Sequence, residues 1–210
     1  MVFTIDGNIG AGKSTILSIL NTRYGIPINL EPIEKWKTFL DTFYNDSIKN
    51  TFQFQIRVWL DRCNITTNLD NPNDLSGIER SPIFIKHTFI QAAKDSNLIN
   101  ETDYDLLTEL HSTSNKLWTN NVYIYLRSSP QKCLDRIKTR DRSCESSVSL
   151  DYITNLHHLH ETVAQSVSMV NKQMYICDIE GKSVDEIADE IYLFLFNNYN
   201  NKNASRDIKM

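Results

Sequence analysis

The sequence predicts an α/β domain in which a doubly wound parallel sheet of about five strands is flanked by helices. Three observations carry this reading. Short apolar runs rich in β-branched and aromatic residues alternate with longer helical segments along the chain, the pattern of βαβ units. Gly7-Asn8-Ile9-Gly10-Ala11-Gly12-Lys13-Ser14 lies between the first strand and the first helix and matches G-x-x-x-x-G-K-[ST], the phosphate-binding P-loop. Several of the expected strands end in charged residues, at the edge of such a sheet where ligands bind.

The elements follow in order. Val2-Phe3-Thr4-Ile5 is the first strand and leads directly into the P-loop. Glycines there let the backbone turn its N–H groups onto an anion. Lys13 can reach β and γ phosphates, the Ser14 hydroxyl can hold Mg²⁺, and Thr15 follows. The first helix runs from about Gly12 to Arg23, with Ile16, Leu17, Ile19 and Leu20 as its apolar side and Gly25 as its C-cap. Ile28 to Leu30 is a short strand that ends at Glu31-Pro32. Asp46 can cap a long helix from about Ser47 to Ile65. Gln55, Val58, Trp59 and Arg62 share one face of it, a mixed face that suits the wall of a pocket.

Asn71-Pro72-Asn73-Asp74 reads as a turn. Leu75 to Ile78 is a third strand that ends in Glu79-Arg80-Ser81, and Pro82 opens a helix to about Lys94. A helix from about Glu101 to Trp118 precedes the clearest strand, Val122 to Leu126. Ser129-Pro130 starts a helix to about Thr139, and another spans roughly Leu150 to Val170. Met174 to Cys177 is the last strand. Ser183 and Glu186 form a capping box before a final helix to about Phe196, and residues 197–210 read as a polar, flexible tail. One domain, residues 1–196, is therefore expected.

Composition narrows the functional classes. A net charge of −4 argues against binding a nucleic-acid backbone. The four cysteines have no C-x-x-C spacing, so they read as reduced thiols in a cytosol-like compartment rather than as a zinc site or disulfide framework. No run approaches 18 apolar residues, so no membrane span is expected. The first strand begins at residue 2, so no leader is expected.

A P-loop names a nucleotide, not a reaction. Asp178-Ile179-Glu180-Gly181 matches the D-x-x-G of GTPases, but Asn115-Lys116 and Asn171-Lys172 lack the following Asp and precede it, so this stretch reads as a strand-end turn. Motor-type ATPases end an apolar strand in adjacent acids, whereas Val122 to Leu126 ends in Arg127. A small-molecule phosphotransferase remains. It must spread charge off a moving phosphoryl group. Arg136, Arg140 and Arg142 supply positive charge at the end of one helix, in a stretch (about 136–147) able to close as a lid. His157, His158 and His160 read as polar histidines of a helix rather than as metal ligands. Phe52, Phe54, Trp59 and Trp118 read as core or pocket wall.

Glu31-Pro32-Ile33-Glu34-Lys35-Trp36, Glu79-Arg80-Ser81 and the segment Arg136 to Glu145 resemble, with the P-loop and in order, the signature segments of the deoxynucleoside kinases. Leu156-His157-His158-Leu159-His160-Glu161 resembles the helix that follows in that family. The resemblance implies a P-loop kinase fold and transfer of the γ-phosphoryl of ATP to the 5′-hydroxyl of a 2′-deoxynucleoside, with Mg²⁺. It implies that Glu31 is the general base, that Arg80 holds the 5′ oxygen and the incoming phosphoryl group, and that Glu79 lies near Mg²⁺. Tyr44 and Glu145 would bond the 3′-hydroxyl. Gln55 would read the base edge, and Trp36 and Phe89 would pack on the base. Arg140 and Arg142 would clamp ATP phosphates.

Arg62 resembles the base-side arginine of the deoxycytidine and deoxyguanosine branches, where an aspartate from the next helix partners it, and Ile85 stands in that position here. The base preference therefore stays open. A homodimer, and a cytosolic or virus-encoded enzyme, are further implications. The rivals are a monophosphate kinase of the thymidylate kinase type, which a carboxylate at Glu31 would disfavour, and a nucleotide-binding regulatory module.

Overall fold

The computed structural model describes residues 1–67, 75–117, 121–170 and 173–207. Among them β1 (Val2–Gly7), β2 (Ile28–Asn29), β3 (Ser76–Glu79), β4 (Asn121–Arg127) and β5 (Met174–Asp178) form one parallel sheet in the order β2-β3-β1-β4-β5. β1 lies in the middle, with Ile5 opposite Glu79 on one side and Ile124 on the other. The P-loop therefore leaves the centre of the sheet, and Glu31, Glu79 and Arg80 leave the two neighbouring strands at the same edge.

Side chains alternate across the sheet as strand geometry requires. Val122, Ile124 and Leu126 point to one side, where Phe3, Ile5 and Cys177 meet Ile16, Leu17 and Leu20 of α1 (Lys13–Tyr24) and Ile187, Ile191 and Leu195 of α9 (Val184–Asp207). Tyr123 and Tyr125 point to the other, onto Phe84 of α4 (Pro82–Ile85) and Val163, Ala164 and Val167 of α8 (Leu150–Val170). Helices on both faces make the sheet doubly wound, and both buried faces account for its near-continuous apolar strands.

The local signals work as chemistry expects. Gly25 takes φ 68° at the C-cap of α1. The Lys49 N–H donates to Asp46 Oδ1 at 3.3 Å at the start of α3 (Ser47–Thr67). Ser183 and Glu186 exchange both capping-box bonds, at 2.8 and 3.2 Å. Ser81 accepts from the Phe84 N–H at 3.3 Å ahead of Pro82. Asp178 ends β5, and Gly181 takes φ 76° in the turn that follows.

Three elements differ from expectation. A helix that was not anticipated, α2 (Ile33–Asn45), follows Pro32. The helix after Pro82 carries a π-turn at Lys86–Ile90 between α4 and α5 (Gln91–Asp95). α9 continues to Asp207 instead of ending near Phe196, because Tyr199 still packs on the core and Asn198 bonds back to the Phe194 carbonyl at 2.8 Å. The expected turn at residues 71–74 and Trp118 lie outside the described residues. α6 (Glu101–Leu117) packs on α3, and Trp59 donates there to the Leu110 carbonyl at 2.9 Å, so it faces α6 and not a pocket. No helix among the described residues is long and apolar enough to cross a membrane.

Candidate active site

The P-loop owes its shape to backbone freedom. Gly10 takes φ 80°, and a Cβ there would stand 2.3 Å from the Cys133 carbonyl oxygen of α7 (Pro130–Arg140). Gly12 takes φ 94° at the N-cap of α1, which leaves the first N–H groups of that helix pointing into the loop. The Asn8 side chain donates to the Ile153 carbonyl at 2.8 Å and accepts from the Ile9 N–H, so the loop is tied to α8. Lys13 is buried and donates to the Asn8 carbonyl at 3.0 Å. Burial brings its ammonium down to about 8, with repulsion from Arg80 adding to the effect and Glu79 and Glu31 opposing it.

Facing the loop are the ends of β2 and β3. The Ser14 hydroxyl donates to both oxygens of Glu79, at 2.9 and 3.1 Å, and the Glu31 N–H reaches Glu79 Oε2 at 3.3 Å. Arg80 Nε donates to Glu31 Oε1 at 2.8 Å, and its Nη1 donates to the Gly7 carbonyl at 3.2 Å. The Arg80 guanidinium also lies over the Phe89 ring, 4.3 Å from its centroid. Burial pushes the Glu31 carboxyl up, but the Arg80, Arg62 and Lys13 cations outweigh burial and hold it well below the usual carboxylate range. Asp6, wholly buried on β1, accepts from the Ser81 N–H at 2.8 Å and fixes where β3 turns into α4.

A cavity of about 420 Å³ runs from the P-loop between these groups to α2 and α3. Of the residues singled out in the sequence, its wall carries Ile9, Gly10, Gly12, Lys13, Ser14, Thr15, Glu31, Trp36, Tyr44, Gln55, Val58, Glu79, Arg80, Ile85, Phe89, Arg136, Arg140, Arg142 and Glu145. Gly7, Asn8, Ala11 and Arg62 are not on it. Ala11 packs in the core, Gly7 gives its carbonyl to Arg80, and Arg62 is wholly buried with its guanidinium turned to the ends of β2 and β3. Arg140 grips Glu145 with two bonds of 2.8 and 2.7 Å, and Arg142 lies 3.5 Å from the same carboxylate. Arg136 Nη1 reaches the Gly10 carbonyl at 3.4 Å.

At the far end the wall is apolar, with Trp36, Leu40, Phe43, Phe54, Val58 and Ile85 around the Gln55 amide. Gln55 Oε1 is buried without a hydrogen-bond partner. Trp36 is held in place by a 2.6 Å bond from Nε1 to Asp61, itself paired with Arg57.

Sequence reasoning missed Ile33, Leu40, Phe43 and Tyr152 as lining residues, whereas Phe54, expected in core or pocket wall, does line the cavity. The spacing of Trp36, Leu40, Phe43 and Tyr44 is a helical signal that points to one face of α2. Nothing local marks Tyr152, which reaches the cavity only because α8 starts beside the P-loop. Burial pushes its phenol up to about 12. His160 is not a polar surface histidine. It is wholly buried against Tyr125, Phe84 and Phe89, and burial brings its imidazole down to about 3.

Comparison with known proteins bears on the family and the fold. The deoxynucleoside kinase family model matches residues 3–195. A probable deoxycytidine kinase of fowlpox virus is 33% identical over 165 residues, which cover 75% of this chain and 69% of the relative. A thymidine kinase of ictalurid herpesvirus 1 is 30% identical over 200 residues, covering 91% of this chain and 84% of that one. Among solved structures, the deoxyadenosine kinase of M. mycoides with bound dCTP superposes with a TM-score of 0.78 at 27% identity, covering 94% of this chain and all (100%) of that chain.

Proposed function

The chain belongs to the deoxynucleoside kinase family, and from that premise we propose how its residues divide the work. It is a phosphotransferase that phosphorylates deoxynucleosides with ATP as donor. The rival readings, a thymidylate-type monophosphate kinase and a non-catalytic binder, are set aside by that membership. The observation that supports our division of roles is the convergence of Glu31, Glu79 and Arg80 on the cavity wall opposite the P-loop.

Glu31 is ionised at neutral pH and acceptor-only, so it can take the proton of a 5′-hydroxyl, whereas Glu79 accepts from Ser14 and Glu145 from Arg140. Arg80 stands 2.8 Å from it, fixed also by Gly7 and Phe89, and stabilises charge on the attacking oxygen and the moving phosphoryl group. Lys13 and the N–H groups of residues 7–15 bind the donor phosphates. Arg136, Arg140 and Arg142 close over those phosphates as a lid. Tyr44 and Glu145 hold the sugar 3′-hydroxyl. Gln55 bonds the base edge with an amide that has both a donor and an acceptor to offer. Trp36 and Phe89 flank the base, and Val58 and Ile85 close its chamber.

The Ser14 hydroxyl and the Glu79 carboxylate meet within hydrogen-bond distance beside the P-loop, a hard-oxygen pair that fits Mg²⁺ held mainly by phosphates and water. When bound there, the ion would neutralise phosphate charge. Leu60 of α3 and Leu106 of α6 are exposed on two helices that pack together, and we assign this surface to a second copy of the chain. The four cysteines form no disulfide among the described residues, which suits the cytoplasm.

The test is a side-by-side assay of thymidine, deoxycytidine, deoxyadenosine, deoxyguanosine and thymidylate with ATP. Product from one or more nucleosides and none from thymidylate is expected. Product from thymidylate alone would overturn the assignment of Glu31 as base, because a carboxylate there repels a substrate phosphate.

A further inference from the structure

Among the described residues, Arg62 is the largest of the fully buried side chains. Its position on α3 is one helical turn beyond Val58 and two beyond Gln55, so the helix alone would aim it along the wall of the base chamber. The side chain goes elsewhere. Nη1 donates to the Glu79 carbonyl and, at 3.4 Å, to the Arg80 carbonyl, and Nη2 lies 3.5 Å from Glu31 Oε1. The guanidinium sits over the Trp36 ring, 5.7 Å from its centroid, with Nε and Nη2 lacking hydrogen-bond partners. Trp36, Leu40, Val58 and Ile85 form the base chamber, and Arg62 is not on its wall.

The two carbonyls that Arg62 holds belong to a strained turn. Arg80 takes φ 66°, a left-handed conformation that a long side chain with a Cβ seldom adopts. Such a conformation persists only where the surroundings over-determine it. The Arg80 N–H is taken by the Ile5 carbonyl at 3.0 Å, and Arg62 takes the carbonyls on both sides of the strained Cα. The same turn sends the Glu79 carboxylate to Ser14 and the Arg80 guanidinium to Glu31.

We infer that Arg62 is a positioning residue for phosphoryl transfer: it pins the Glu79–Arg80 turn and faces Glu31, and it does not read the base. This rests on the reading of the cavity as the kinase site. Arg62→Met removes one partner of a buried ion pair and leaves the Glu79 and Arg80 carbonyls short of a donor, so the variant loses stability as well. What the cation supplies is geometry, and small misplacements of reacting groups cost about 10²-fold in rate.

The experiment measures kcat and KM for all four deoxynucleosides with the wild-type chain, Arg62→Met and Arg62→Lys, and measures ATP affinity by titration as the check on folding. In Arg62→Met, kcat should fall about 10²-fold by the same factor for every base accepted, with each KM within about threefold of wild type. Arg62→Lys should recover part of that loss, since one ammonium can serve a carbonyl and still face Glu31. A base-dependent rise in KM with kcat intact, or a Met variant equal to wild type, would overturn the inference. If Arg62→Met fails to bind ATP, the same comparison is read from Arg62→Lys alone: a uniform kcat loss supports the inference, a base-dependent KM change overturns it. No product from any nucleoside with the wild-type chain would sink the reading of the site, and this assignment with it.

Discussion

The Arg80 guanidinium donates to the Glu31 carboxylate at 2.8 Å from a backbone held at φ 66°. This contact joins the end of β2 to the end of β3, two neighbouring strands whose register is set by Ile28 opposite Gly77. It places a fixed cation beside the Glu31 carboxylate on the wall facing the phosphate loop. The same carboxylate lies 3.5 Å from Arg62, so two arginines keep it ionised in a partly buried place.

Glu31→Gln keeps the shape of the side chain and removes the charge that accepts a proton. The variant should fold and bind ATP, and lose ~10²- to 10⁴-fold in kcat. Steady-state kinetics with an ATP titration alongside would check this. Near-normal turnover would mean that another group takes the 5′ proton.

Gly10 has no room for a side chain. A Cβ would meet the Cys133 carbonyl oxygen at 2.3 Å, and φ 80° is strained for any residue that has one. Gly10→Ala should cost about 1–3 kcal/mol and weaken ATP binding more than nucleoside binding. Urea unfolding and two separate binding titrations would read both effects. Gly25, with φ 68° and open space around it, should tolerate alanine far better.

Ser14 and Glu79 meet at 2.9 Å in front of the P-loop. Glu79→Gln should therefore raise the Mg²⁺ concentration needed for half-maximal rate while leaving the nucleoside KM close to wild type. Chelation of Mg²⁺ should abolish turnover in both proteins. A Mg²⁺ dependence unchanged in the variant would remove Glu79 from the metal's surroundings.

His160 makes the stability pH-dependent. Burial holds its folded pKa at about 3, against about 6.5 for an unfolded histidine. Between those values the unfolded chain binds a proton that the folded chain excludes. Stability is therefore complete above pH 6.5 and falls by about 1.4 kcal/mol per pH unit below it. His111, also buried and brought down to about 4 by burial, adds to the decline. His160→Phe, which fits the ring contacts with Tyr125, Phe84 and Phe89, should lose less stability than wild type between pH 7 and pH 5.5 in denaturant titrations. Parallel losses in the two proteins would show that His160 is not excluded from protons.

Much of the fold was legible because its signals are local. The P-loop, the Gly25 cap, the Ser183–Glu186 box and the Ser81-Pro82 start each depend on residues within a few positions of one another. In α2, Trp36, Leu40 and Tyr44 repeat at helical spacing, but they face a cavity and of them Trp36 alone is buried, so the helix carries no core-facing stripe that marks it in the sequence. The end of α9 was misplaced because composition reports polarity, whereas Tyr199 reports packing on a core made elsewhere in the chain.

The sequence by itself determined the parallel α/β architecture, the phosphate loop and the set of charged residues at the strand ends, because periodicity, glycine placement and motif spacing are properties of the chain alone. Tertiary structure alone decided which of those residues share a surface. It turned Arg62 from the base chamber to the Glu79–Arg80 turn, brought Tyr152 to the cavity and buried His160. Each of these depends on where a distant charge, carbonyl or ring comes to rest after packing. The free energy of a buried cation or imidazole is set by those neighbours, and no stretch of sequence contains them.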